Sequence, residues 1–177
     1  MKKFMMALCV ALVSMGASAQ EYYEEGPAAG DWGVGMDLVM GSGSGLTNFG
    51  VSPKIQYYLA PSFRMETAFT YFIETKHTID WDLNLNFHFL IPMKYGLSVY
   101  PVLGATFLHR NVSFTSLKAD GITTFEDSAN EGRFGLNAGV GVQYDIAPDI
   151  YADLEFKYQY VSDFDRANIH IGIGYRF

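Results

Sequence analysis

Cysteine is nearly absent from this 177-residue chain, and the one example, Cys9, lies within an apolar run at the N-terminus. A disulfide framework, thiol chemistry and a cysteine-based metal centre are therefore excluded from the rest. Basic residues are also few, twelve against nineteen Asp and Glu, for a formal charge of −7. Nucleic acid is not an expected partner, because its recognition needs a basic footprint. A long hydrophobic run is missing too. The stretch 4–13 falls well short of the ~20 residues of a spanning helix. It follows Lys2 and Lys3 and precedes Ala17, Ser18 and Ala19, the layout of a secretory signal peptide over 1–19 with cleavage after Ala19. Cys9 is too early to be a lipid-attachment residue. Loss of that segment removes the cysteine and, with Lys2 and Lys3, takes the charge to −9.

What the chain does have is aromatic residues at 16%, 18 glycines, and a period of two. After an acidic segment, 20–30, that reads as a flexible leader, alternation fills 31–177 as one domain. The final stretch shows it best: Ile169, Ile171, Ile173, Tyr175 and Phe177 alternate with Asn168, His170, Gly172, Gly174 and Arg176. The same pattern predicts strands over 31–41, 51–60, 63–74, 79–91, 97–108, 134–145 and 150–160. Leu90 breaks the polar set of the fourth strand, and the fifth is the least regular. Gly-Ser residues over 41–50 read as a loop, Lys76 and His77 fall in a short loop, and 111–131 is the longest insertion.

Eight strands of about the ~9–11 residues that cross a bilayer core make an all-β, eight-stranded antiparallel up-and-down transmembrane β-barrel. A soluble eight-stranded barrel would turn the apolar face inward, but three observations oppose that. Bulky aromatics cluster toward strand ends (Trp32, Phe63, Trp81, Phe89, Tyr144, Tyr160, Tyr175), as interfacial girdles do. The other face is rich in glycine, which suits a crowded lumen. It also carries charges of both signs that can pair inside: Lys54, Arg64, Glu66, Asp80, Asp82, Asp153, Glu155, Lys157 and Arg176, with His88 beside them.

The whole expected mature chain resembles the small eight-stranded outer-membrane barrels, the group of outer membrane protein X and the transmembrane domain of outer membrane protein A. Its end, with His170, Gly172, Tyr175 and terminal Phe177, resembles the signal such proteins present to the barrel-assembly machinery. The resemblance implies the bacterial outer membrane, contact with its lipid and lipopolysaccharide, and both termini in the periplasm. Short turns after the second, fourth and sixth strands fit a periplasmic side. With Phe177 as the last residue, a peptidoglycan-binding domain is not expected.

An eight-stranded lumen is filled by side chains, so a diffusion pore is disfavoured. Turn geometry sets Gln56 opposite Glu66, Arg64 near His88, Glu66 near Asn86 and Thr70 near Asp82. A buried hydrogen-bonded network is the favoured reading of these groups over a proton or ion path. His88 and His170 face the lumen singly, so neither a metal nor a cofactor is expected. The leading function is a non-enzymatic envelope protein that contributes to envelope integrity or presents external loops for adhesion and partner binding. The rival is a lipid A-modifying acyl hydrolase or acyltransferase built on His109, with Ser113 and His77 nearby, although no motif of such enzymes matches. Residues 111–131 offer an external protein partner a surface, either as a hairpin prolonging the fifth and sixth strands or as a mobile loop.

Overall fold

The computed structural model describes residues 26–43, 46–73, 78–117 and 124–177. Eight long strands follow the alternation: β1 Trp32–Gly43, β2 Leu46–Ala60, β3 Phe63–Phe72, β4 Thr78–Phe89, β5 Leu97–Leu117, β6 Thr124–Ala147, β7 Ile150–Val161 and β8 Arg166–Arg176. Each pairs antiparallel with its neighbours in sequence, and β8 returns to β1, from Gly33↔Arg176 to Ser42↔Ala167. The sheet has no free side within the barrel wall, which is how closure solves the edge-strand problem. Among the described residues no helix is long and apolar enough to cross a membrane; the strands do so.

The two faces separate as the period of two requires. Val34, Met36, Leu38, Ile171 and Ile173 are exposed on the outer wall, whereas Lys54, Arg64, Glu66, Asp82, Glu155 and Lys157 are buried inside. An apolar outer wall with a charged interior inverts a soluble protein, and only a lipid surround makes both faces favourable. Trp32, Phe63, Tyr144, Tyr160 and Tyr175 are outward and exposed.

The short turn at Pro61–Ser62 sets Gln56 opposite Glu66, and the β3–β4 hairpin pairs Arg64 with His88, Glu66 with Asn86 and Thr70 with Asp82, as the expected registers require. Proline shapes the ladder twice. Pro53 pairs toward β1, but between Val51↔Tyr71 and Lys54↔Ala68 the ladder to β3 is interrupted, and Ser52 Oγ and Thr70 Oγ1 bond there instead at 3.0 Å. Opposite Pro101, which has no N–H to donate, β4 ends at Phe89.

Three expectations change. Residues 41–50 are not a loop: β1 and β2 pair as far as Gly43↔Leu46, because Thr47, Asn48 and Phe49 continue the alternation past the glycines. Ile91, expected on the lipid face, is buried. The ladder breaks at Leu90, whose N–H donates to Ser62 O, and resumes only as Ile91↔Val99 and Pro92↔Ser98. The chain then turns through Lys94–Gly96, with Tyr95 at φ 63° and Gly96 at φ 72°. Third, most of 111–131 is not a loop. β5 and β6 stay paired from Asn111↔Asn130 to Leu117↔Thr124. The expected signal peptide, residues 20–25 of the expected leader, Glu74, Lys76 and His77 lie outside the described residues.

Candidate functional site

The lumen is the most developed chemical feature. At its centre the Lys54 ammonium sits 2.6 Å from Asp37 Oδ1 and 2.5 Å from Asp153 Oδ2, which joins β1, β2 and β7 across the interior. His170 Nδ1 lies 3.3 Å from the other oxygen of Asp37. Gly172 makes room for this group, since a Cβ there would collide with the Asp37 carboxylate. Its neighbour Gly174 likewise clears space for the Tyr151 ring.

Toward the end that carries Gly26 and Phe177, Arg64 is fully buried. Its Nε–H donates to His88 Nδ1 at 2.9 Å, and its Nη1 donates to Gln143 Oε1 at 2.7 Å and Tyr58 Oη at 3.2 Å. The rings of Tyr100, Tyr151 and Tyr58 surround the guanidinium at 4.9, 5.7 and 5.9 Å, an arrangement that favours a planar cation. Tyr58, Leu90, Tyr100 and Val102 form an apolar cluster beside it. Below that, Gly26 and Pro27 help to line a cavity of about 370 Å³ with Pro61, Leu90, Pro92 and Gln143.

Toward the other end, Arg110 makes a two-pronged bond to Asp80, at 2.9 and 2.8 Å, and packs over Phe164. Arg166 reaches Asp82 at 3.4 Å and Asp80 at 3.7 Å, with its guanidinium 4.1 Å from the centre of the Phe72 ring. Hydrogen bonds donated by the side-chain amides of Asn137, Gln159 and Asn168, to Asn84, Thr106 and Gln159, join these layers. Buried charges are tolerated only when partnered in this way.

Of the predicted lumen residues, Lys54, Arg64, Glu66, Asp80, Asp82, His88, Asp153, Glu155 and Lys157 all lie inside this network. Arg176 is also buried, but it donates to Pro148 O at 2.6 Å and so braces a turn. His170 and Gly172 belong to the lumen, whereas Tyr175 and Phe177 project outward. Phe177 exchanges two backbone bonds with Trp32, which extends the β1–β8 seam to the last residue. Sequence reasoning missed Asp37, Arg110 and Arg166 as partners. The parity of Asp37 and Arg166 marked them as inward; which group each would meet depends on how far the strands are staggered around the barrel.

His88 is not solitary. Its Nε2 lies 3.9 Å from Glu66 and 3.8 Å from Glu155, a donor set suited to a divalent metal. The surroundings do not fit one. The Arg64 N–H on Nδ1 leaves the neutral ring's proton on Nε2, where a metal would need a lone pair. Lys157, 3.2 Å from Glu155, already supplies positive charge. His109 faces outward and stacks on Trp81 at 5.0 Å; the side chains of Ser113 and His77 lie outside the described residues.

The model of one protein family, described as the outer membrane protein beta-barrel domain, matches residues 5–177. No curated protein matches the sequence. Among solved structures, the chain is similar to Ail, the attachment invasion locus protein of Yersinia pestis, in complex with the heparin analogue sucrose octasulfate. The TM-score is 0.60 at 18% identity, over 84% of this chain and 99% of that one. Neisserial surface protein A gives a TM-score of 0.62 at 15% identity, over 85% and 98%. Outer membrane protein OprG of Pseudomonas aeruginosa gives 0.57 at 15%, over 86% and 98%. At such identities the likeness is one of fold.

Proposed function

Because the chain belongs to the outer membrane protein β-barrel domain family, and therefore resides in the bacterial outer membrane, we propose that it is a non-enzymatic envelope protein. Its sealed barrel serves as a rigid stake that presents the β5–β6 hairpin outside the cell. The observation that carries this reading is the length of that hairpin. The ladder between β6 and β7 begins only at Gly135↔Val161, and β5 meets β4 no further than Thr78↔Val112. Beyond those points the described backbone of the two strands pairs only within the hairpin. Each therefore offers an outer edge to which a partner strand can add.

In this reading both termini and the turns after β2, β4 and β6 are periplasmic, and Tyr175 and Phe177 engage the barrel-assembly machinery. The hairpin sequence is acidic, with Asp120, Glu126, Asp127 and Glu131 against Lys118 and Arg133. That charge disfavours a polyanion such as the heparin analogue held by the Yersinia pestis protein, and favours a protein partner with a neutral or basic strand. Lipopolysaccharide and phospholipid surround the wall.

Cells carrying the full chain should bind such a partner, and cells whose hairpin is cut back to Asn111 and Asn130 joined by a two-residue turn should not, at equal surface levels. Equal binding by both would overturn the hairpin's role. Asp163→Cys should be labelled by an impermeant maleimide on whole cells and Asp149→Cys should not; the reverse pattern would overturn the orientation. An altered lipid A acyl profile on deleting the protein would revive the enzymatic alternative.

A further inference from the structure

On the outer wall the registers of β3 to β6 align Thr67, Leu85, Ala105 and Leu136 in one row. Small and large outward side chains alternate along it, so the row is notched rather than smooth. The notch is a groove of about 340 Å³, lined by Thr67, Leu83, Leu85, Ala105, Phe107 and Phe134. Phe134 is 81% exposed and stands beside it as a ridge.

An aromatic row caps the groove toward the hairpin end. Ring centres run from Phe69 to Trp81 at 5.8 Å, Trp81 to Phe107 at 5.8 Å, and Phe107 to Phe134 at 4.9 Å. His109 is stacked on Trp81 at the top of this row. The feature is thus an apolar dent in a bilayer-facing wall, bordered by Phe107 and Phe134, with Trp81 and the imidazole of His109 stacked beyond them toward the hairpin. That polarity is the polarity of a phospholipid or phosphorylated glycolipid, with a chain below and a phosphate above.

On the orientation proposed above, with the hairpin outside the cell, we propose that this groove binds one acyl chain of an outer-leaflet lipid, with the head-group phosphate at His109. Family membership determines what covers the wall, since the barrel stands in a bilayer. A comparable dent of about 370 Å³, formed by Val34, Met36, Ile150, Ile173 and Tyr175 near the other end of the wall, supplies a control. The two tryptophans divide between these places: Trp81 caps the groove, and Trp32 lies two residues before Val34 on the same face of β1.

The chain is reconstituted in phosphatidylcholine vesicles containing a minor fraction of phosphatidylglycerol with brominated acyl chains, whose bromines quench tryptophan on contact. In a Trp32→Phe variant, Trp81 quenching should exceed that expected from the brominated mole fraction by about threefold or more, as a site with a few-fold preference requires. Ala105→Phe, which fills the groove from the lipid side, should remove the excess, and His109→Ala should reduce it. A Trp81→Phe variant, which reports from Trp32, should follow the mole fraction. Trp81 quenching that tracks the mole fraction, or an excess unaffected by Ala105→Phe in a barrel whose folded gel mobility is retained, would overturn the site. Efficient disulfide dimerisation of Ala105→Cys would assign the groove to a second copy instead.

Discussion

Replacing Lys54 by Met isolates the contribution of the lumen network. The ammonium is the cation nearest to two carboxylates, at 2.6 Å from Asp37 and 2.5 Å from Asp153, and all three side chains are almost wholly buried. Removing it leaves two acidic groups facing each other without a counter-charge. Breaking a buried ion pair from one side costs about 3–5 kcal/mol, or roughly two to three and a half decades in the folding equilibrium. Methionine retains the length and most of the volume of lysine, so the cavity contribution is small. The paired control is the triple variant Asp37→Asn, Lys54→Met, Asp153→Asn, which removes all three charges together. Exchanging a buried charged group for neutral side chains of like volume is often close to neutral, so the triple variant should recover most of the loss. The assay is urea unfolding and refolding in phospholipid vesicles, followed by tryptophan fluorescence and by the mobility difference between folded and unfolded barrel on a gel. A Lys54→Met barrel within about 1 kcal/mol of the parent, the level of an exposed ion pair, would refute the reasoning. So would a triple variant as damaged as the single one.

Gly172→Ala places a methyl group on the Asp37 carboxylate and should cost about 1–3 kcal/mol in the same assay, the range of an overpacked core. Ile171→Ala, one residue away on the lipid face, should leave the lumen network intact. Arg64→Ala removes the centre of the tyrosine cage and the partner of His88 and Gln143. Planar-bilayer recordings should then show a conductance that the parent lacks; silent recordings from both would mean that the tyrosines and Leu90 seal the lumen unaided. Deleting Phe177 removes its two backbone bonds to Trp32 and the proposed assembly signal. Outer-membrane levels should fall while refolding in vesicles remains measurable, and normal accumulation in cells would count against the signal.

Much of the fold is legible from parity alone, because a lipid-facing strand must alternate and a one-residue slip would turn every charge outward. Neighbouring registers such as Arg64 with His88 are legible for a related reason: a two-residue turn at Pro61–Ser62 and alternation in the following hairpin leave little freedom. The connection at 41–50 is less legible because its glycines and serines suggest a loop, whereas Thr47 and Phe49 keep the strand period beneath them. Contacts across the lumen are the least legible. Glu155 meets His88, and Asp153 meets Lys54, only because closure brings β7 toward strands far from it in sequence. No local pattern records the strand stagger that decides such meetings.

The pairing of Lys54 with Asp37 and Asp153 also bears on how the barrel comes into being. Its members lie on the second, first and seventh strands, so no partial sheet built from either end alone can satisfy it. A half-formed sheet inserted in lipid would expose lone charges and an open seam, both far more costly than the same groups in water. The barrier to assembly therefore lies before the seam between β1 and β8 is sealed, and the stabilisation arrives afterwards in one step. Such a wall should insert as a unit and, once inserted, be very slow to leave.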